Sequence, residues 1–283
     1  MSTAAEKTYE RIRFSVSDGV ATLVLNSPAK RNAFDPVMRV EMAEVVRQVQ
    51  TDDAIRVLLL TGEGAHFCSG GDLSNIANAG LDNAGWRNRL TSLHQWLRDF
   101  MQLEKPVVAA VDGAAYGAGF SLALAADFIV ATTRARFAMS FIRMGLVPDC
   151  AAFYTLPRIV GPQRAKELML SGREVSAQEA LQLGIATELV EPELLQARAS
   201  AIAHSLVNAS PVALSLIKRS LSMACDDLPS LLEQEANAQA LTMGTPQHKE
   251  AVQCFLNKKP VPFQWAEKAK GHTALKLSVH GDC

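Results

Sequence analysis

Two runs of small residues carry the first chemical signal in this chain. Ser69, Gly70 and Gly71 come after an apolar run at residues 57–61, and the stretch GAAYGAG at 113–119 follows another at 106–111. Glycine permits backbone conformations and close approaches that a side chain would block. A loop opening into a helix also presents N–H groups without partners, reinforced by the helix dipole. Two such loops either aim backbone donors at one oxygen, as an oxyanion hole does, or are only tight strand-to-helix turns. A dinucleotide-binding glycine motif fits poorly, because Gly117-Ala118-Gly119 lacks the third small residue and the spaced ribose acid. Cys68 sits beside the first loop without the cationic neighbours an activated thiolate needs, so it is assigned to packing.

The elements around these loops read as alternating strands and helices. Residues 11–16 and 20–25 are short β-rich runs joined by Asp18-Gly19, a strong hairpin signal. A polar loop, NSPAKRNAFD, leads into a helix expected over 36–50, with Val37, Val40, Val45 and Val49 as its apolar residues. The run at 57–61 reads as a strand buried on both faces, and an amphipathic helix is expected over 86–103. Strands alternating with helices, with glycine loops after the strands, indicate an α/β domain with ligand chemistry at the strand ends. Beyond about Arg173 the pattern turns helical. Ser176 and Glu179 form a capping box, Ser210-Pro211 opens a further helix, and residues 226–243 read as another. Residues after Trp265 read as a tail.

Composition narrows the function class. The 28 Lys+Arg and 29 Asp+Glu nearly cancel, which argues against a sequence-independent nucleic-acid binder. The five cysteines form no CxxC pair and read as reduced thiols without a zinc site. An N-terminal stretch with acidic residues and no apolar core predicts no secretory signal. The apolar stretch at 120–133 is interrupted by Asp127 and too short to span a bilayer, so a cytoplasmic protein is expected.

The runs KRNAF, AHFCSGGDL, KPVVAAVDGAAYGAGFSLALAADF, GLVPD, LPRIVGPQRAKELMLSG and SAQEALQLGIA, in that order, resemble the crotonase (enoyl-CoA hydratase/isomerase) superfamily over about residues 9–263. The resemblance implies an α/β fold: a spiral of ββα units over 1–200 holding an acyl-CoA site. A C-terminal helical trimerisation region over 201–265 and the tail at 266–283 would follow. It implies a homotrimer or homohexamer, a coenzyme A thioester as substrate, and no metal or redox cofactor. The donors that hold the enolate oxygen would be the N–H groups of Gly71 and Ala118. Lys30, Asn32 and Ala33 match the segment lining the CoA nucleotide, with Asp72 and Leu73 beside it. Phe255 and Lys258 match positions that reach the nucleotide region, often across a subunit interface. Lys30 and Arg31 are equally readable as solvated loop charges.

The sequence departs from the hydratase pattern at both of its glutamates, where Ser121 and Phe141 stand. Neither can act as a general base, so two-carboxylate addition of water is unsupported. Asp149, behind Pro148 in GLVPD, matches the acid of dienoyl-CoA isomerases and of the ring-epoxide isomerase of phenylacetyl-CoA catabolism. An apolar setting from Phe141, Phe153 and Tyr154 would raise its pKa and suit it to proton transfer. Capping of a helix at 151–156 is the alternative role. His94 matches a histidine of the chlorobenzoyl-CoA dehalogenase branch, although that branch's tryptophan is replaced by Phe141; a partly buried helix position near Trp96 is the plainer reading. Asp72 reads as fixing its loop, and Arg143 as pairing with an unspecified acid. The expectation is an acyl-CoA isomerase working through an enolate. A single-acid hydratase, a dehalogenase-like hydrolase and a non-catalytic acyl-CoA-binding scaffold are the alternatives.

Overall fold

The computed structural model describes residues 8–222 and 227–267. Strands β1 (Ile12–Ser17) and β2 (Val20–Leu25) pair antiparallel. Asp18 (φ 50°) and Gly19 (φ 79°) join them in a two-residue turn with both central residues left-handed, the form whose twist suits a hairpin. Helix α1 (Pro36–Thr51) starts where expected, with Asp35 accepting from Met38 N at 2.8 Å and Pro36 in the first turn. Its buried face differs from the valine pattern: Val37 and Val40 are exposed, while Met38, Met42, Val45, Val46 and Val49 are buried. The methionines hold that face because their unbranched side chains reach the core at helical spacing.

Strand β3 (Val57–Gly62) leads to the short helix α2 (Leu73–Ala77) and then α3 (Asn83–Met101). That last helix begins three residues before the expected start, because Asp82 caps it by accepting from Gly85 N at 2.8 Å. Strands β4 (Val107–Val111) and β5 (Ala114–Tyr116) precede α4 (Ala118–Leu124), followed by β6 (Phe128–Thr132) and β7 (Arg136–Ala138). A 3-10 turn at Ser140–Met144 comes before α5 (Ala152–Val160) and α6 (Pro162–Ser171). The region beyond Arg173 contains two three-residue strands that its helical pattern hid. They are β8 (Glu174–Ser176) and β9 (Glu188–Val190), with α7 (Ala177–Gln182) between them. Ser176 does cap α7, accepting from Glu179 N at 3.2 Å, but the Glu179 carboxylate turns to Arg173 at 2.7 Å instead of closing the box.

The main sheet has the order β1-β2-β3-β4-β6-β9, parallel from β2 onward, and a small sheet has the order β5-β7-β8. The all-apolar reading of β3 and β4 is explained by burial on both faces. Leu58, Leu60, Val107 and Ala109 join the large core with α1 and α3. Val57, Leu59, Val108 and Ala110 instead meet Leu195, Ala199, Ile202 and Leu206 of α8 (Leu195–Val207). The boundary expected at residue 200 therefore falls inside a core helix, and packing continues beyond it, with Ala209 buried and Leu214 set against the same core. Helices α9 (Pro211–Ser222), α10 (Leu228–Met243) and α11 (Pro246–Leu256) bury no residue of their own. Most of the expected tail at 266–283 lies outside the described residues. Among the described residues no single helix is long and apolar enough to cross a membrane.

Candidate active site

The two small-residue loops meet through their backbones. Cys68 N donates to Ala114 O at 3.0 Å, and Tyr116 N donates to Cys68 O at 2.9 Å. The absence of side chains is what allows this approach. A Cβ on Gly119 would stand 2.3 Å from Cys68 O, and one on Gly70 (φ +98°) would stand 2.8 Å from Tyr116 O. A third segment clamps the first loop, with Phe34 N donating to Gly70 O at 2.7 Å and Asp72 N to Phe34 O at 3.0 Å. The N–H of Gly71 takes part in neither bond. Ala118 is the first residue of α4, so its N–H has no partner within the helix. The structure thus brings together the two loops that carry the predicted donors.

The two hydratase-type positions frame this place without supplying a carboxylate. Ser121 is fully buried, and its hydroxyl donates to Gly117 O at 3.2 Å. The Phe141 ring covers the Gly117 turn; a Cβ there would lie 3.8 Å from Phe141 Cζ.

Asp149 stands between the 3-10 turn and α5. It does not cap that helix with its side chain: the N-cap is Ala151, and only the Asp149 carbonyl takes part, accepting from Ala152 N at 3.1 Å. Cys150 (φ 51°) and Ala151 (φ 62°) are consecutive non-glycine residues in the left-handed region. Such residues persist only where the surroundings enforce them, and they cluster at functional sites. Asp149 Oδ1 is shut off from solvent and has no hydrogen-bond partner among the described residues. Burial raises the carboxyl's pKa above its usual value, partly opposed by the Cys150 thiol and by the charges of Arg39 and His94. The apolar setting does not come from Phe153 and Tyr154, which are exposed on α5; the Tyr154 hydroxyl donates to Ser222 O at 3.1 Å instead. His94 is exposed on α3, not partly buried, yet near enough for its charge to act on Asp149. Burial pushes the Cys68 thiol up to about 12, in keeping with a packing role.

The nucleotide-lining candidates divide sharply. Lys30 Nζ lies 2.6 Å from Asp72 Oδ2, and this ion pair, with the Asn75 N–H donating at 3.1 Å, holds the Asp72 carboxyl below its usual pKa. Asp72 therefore fixes its loop and caps α2. Half-exposed Lys30 and exposed Leu73 remain open to a ligand. Asn32 does not: it is fully buried, its Oδ1 accepts from Ser27 N at 2.9 Å, and its Nδ2 donates to Glu63 O and His66 O at 3.0 and 2.7 Å. Its side chain holds the loop together and cannot face a nucleotide. Ala33 is buried as well, its N–H donating to Lys30 O at 3.2 Å. Phe255 is exposed at the end of α11, with Lys258 just beyond, and no hydrogen bond or ion pair among the described residues joins either to the site loops. Arg143 is exposed and forms no ion pair among the described residues.

Sequence reasoning passed over two features. The strained pair at 150–151 is invisible because neither cysteine nor alanine favours the left-handed region. Arg39 was hidden among the apolar positions of α1.

The sequence model described as Enoyl-CoA hydratase/isomerase matches residues 15–268. The chain belongs to the enoyl-CoA hydratase/isomerase family. It is 36% identical to 1,2-epoxyphenylacetyl-CoA isomerase of Escherichia coli K12, over 90% of this chain and 98% of that protein. It is 32% identical to 4-chlorobenzoyl coenzyme A dehalogenase-2 of an Arthrobacter species, over 86% and 89%. Among solved structures, an enoyl-CoA hydratase/isomerase from Cupriavidus metallidurans CH34 superposes with a TM-score of 0.87 at 41% identity, covering 93% of this chain and 99% of that one. The crotonase-like α/β fold is therefore established, and with it a family that acts on acyl-CoA thioesters. Isomerase, hydratase/isomerase and dehalogenase names stand together among these relatives.

Proposed function

We propose that this enzyme is an acyl-CoA isomerase in which Asp149 moves a proton through a thioester enolate. The carboxylate takes a proton from carbon next to, or conjugated with, the thioester, and the electron pair moves onto the carbonyl oxygen. The N–H groups of Gly71 and Ala118 hold that oxygen, preorganised donors worth about 3–4 kcal/mol each in a dry site. When the carbonyl re-forms, the protonated Asp149 returns the proton at another carbon, and a double bond has moved. Where the next carbon carries a ring oxygen, the returning electron pair instead forms the new carbon–carbon double bond and breaks that carbon–oxygen bond. The freed oxygen takes the proton from Asp149, and the ring has opened. No metal or redox cofactor enters this sequence; coenzyme A arrives as part of the substrate. Lys30 and Leu73 face its nucleotide end, and the exposed apolar faces of α10 and α11, with Phe255 and Lys258, support a homotrimer or homohexamer.

One observation carries this reading: a single carboxylate with a buried, unpartnered oxygen, held on a strained turn, while Ser121 and Phe141 occupy the hydratase acid positions. Incubation with a 3-enoyl-CoA in deuterated water tests it. Positional isomers carrying solvent deuterium are expected, and their disappearance in Asp149→Asn; full exchange in that variant defeats the assignment. A second reading has its own observation, since His94 acts electrostatically on Asp149. With Asp149 as nucleophile on an aryl halide, chloride would be released from 4-chlorobenzoyl-CoA, and an ion-selective electrode distinguishes the two.

A further inference from the structure

Arg39 lies within electrostatic range of Asp149, and its side chain is held by no partner among the described residues. It lies on α1 in a half-buried position, and its Nε–H is closed to solvent with no acceptor among the described residues. Neither a salt bridge nor a side-chain hydrogen bond fixes its guanidinium among those residues. The acid that begins its own helix, Asp35, is taken already by Arg11 Nε at 2.8 Å and by Met38 N at 2.8 Å. The titratable groups near enough to act on Arg39 are Arg89, Cys150, Asp149 and Asp35. Arg89 repels it and is itself held by Asn75 Oδ1 at 2.7 Å, with its guanidinium 5.2 Å from the Trp86 ring centre.

A buried guanidinium N–H is a strong donor, and leaving it without an acceptor is costly. The same neighbourhood contains an unmatched acceptor, Asp149 Oδ1, yet no hydrogen bond joins the two. A donor and an acceptor left open within electrostatic range of each other suit a ligand that presents both a proton to remove and an oxygen to hold. A plain hydrocarbon chain supplies only the first.

We propose that Arg39 binds substrate, its Nε–H donating to an oxygen carried by the acyl chain beyond the carbon from which Asp149 takes the proton. The preferred substrate class is then an oxygenated acyl-CoA, bearing a hydroxyl, carbonyl or epoxide oxygen, with a simple enoyl-CoA turned over less efficiently. This inference rests on the isomerase reading given above and narrows its substrate.

Two matched substrates test it, 3-hexenoyl-CoA and 5-hydroxy-3-hexenoyl-CoA, followed by deuterium uptake with the whole enzyme. The wild-type enzyme is expected to favour the hydroxylated chain in kcat/KM. In Arg39→Met the ratio of the two kcat/KM values is expected to fall by about 10- to 100-fold, the size of one hydrogen bond from a charged donor. Arg39→Lys, which keeps charge and length, is expected to restore part of that ratio. A wild-type preference for the plain chain, or an unchanged ratio in both variants, overturns the inference. Asp149→Asn run alongside separates the two claims: full exchange there overturns the isomerase reading, whereas lost exchange with an unchanged Arg39 ratio overturns only the substrate assignment.

Discussion

Two turns in this protein share an unusual backbone and put it to opposite use. At Arg31–Asn32 and again at Cys150–Ala151, two consecutive non-glycine residues adopt positive φ, between 51° and 62°. Asparagine is among the few residues that enter this region readily, and Asn32 returns three hydrogen bonds to the surrounding backbone. Cysteine and alanine have no such compensation, and the acid beside them keeps an unbonded buried oxygen. The first turn is a satisfied structural knot. The second is held in place by the fold around it, and it presents a carboxylate in a state that a structural residue would avoid. Strain alone does not mark a functional site; strain together with an unmatched polar atom does.

Substitutions can press on this contrast, beginning with the largest effect. Asp149→Asn is expected to lower the rate of solvent-deuterium uptake by about 10²–10⁴-fold, the range for loss of a general base. At the structural knot, Asn32→Ala removes three hydrogen bonds at once and strips their amide from two carbonyls and one N–H of half-buried residues, and a loss of about 3 kcal/mol is expected in urea unfolding. If Asn32→Ala were harmless to stability while changing KM for CoA thioesters, the assignment of that turn to structure would be broken.

Ala151→Gly should act in the opposite sense on stability. Removing the Cβ relieves about 1–2 kcal/mol of left-handed strain against about 0.5–1 kcal/mol of added chain entropy, so a gain of up to about 1.5 kcal/mol is expected. The same change loosens the turn that aims Asp149, so a fall in kcat should accompany the higher melting temperature.

A pH series sharpens the comparison further. The folded Asp149 holds its proton more tightly than the unfolded chain does, because burial disfavours the charged form. Its contribution to stability is therefore fully present below the unfolded pKa and is lost as pH rises through the raised folded value. Asp149→Asn should accordingly stabilise the protein at neutral pH, and that advantage should shrink toward zero in acid. Activity should show the matching limb, falling as pH drops through the same raised pKa. The smallest effect is expected at Lys30→Ala, where loss of a half-exposed ion pair changes stability by less than about 1 kcal/mol.

Much of this was legible in the sequence, for reasons that can be stated residue by residue. Asp18-Gly19 specified a hairpin because a two-residue turn demands left-handed backbone, and the apolar runs of β3 and β4 declared two-sided burial. The glycine loops announced a close approach, which Gly119 against Cys68 makes concrete. Other features depend on contacts between distant segments and left no local trace. The three-residue strands β8 and β9 are too short to show alternation. Asn32 looked like a ligand residue until its partners at 27, 63 and 66 came into place. Phe153 and Tyr154 have the composition of a pocket lining, yet α5 turns them outward. Asp149 stood out as a candidate acid by position, and its freedom from capping was decided only by where the helix begins.

The two thiols buried among the described residues offer the experimenter a pair of internal clocks. Cys68 lies behind the donor loop and Cys150 beside the acid, and both are closed to solvent. With their pKa values raised by burial, an alkylating reagent at neutral pH reaches either one only when its segment transiently opens. The rate at which each sulfur is captured, with and without an acyl-CoA present, would time the breathing of the two halves of the candidate site separately, without any residue being replaced.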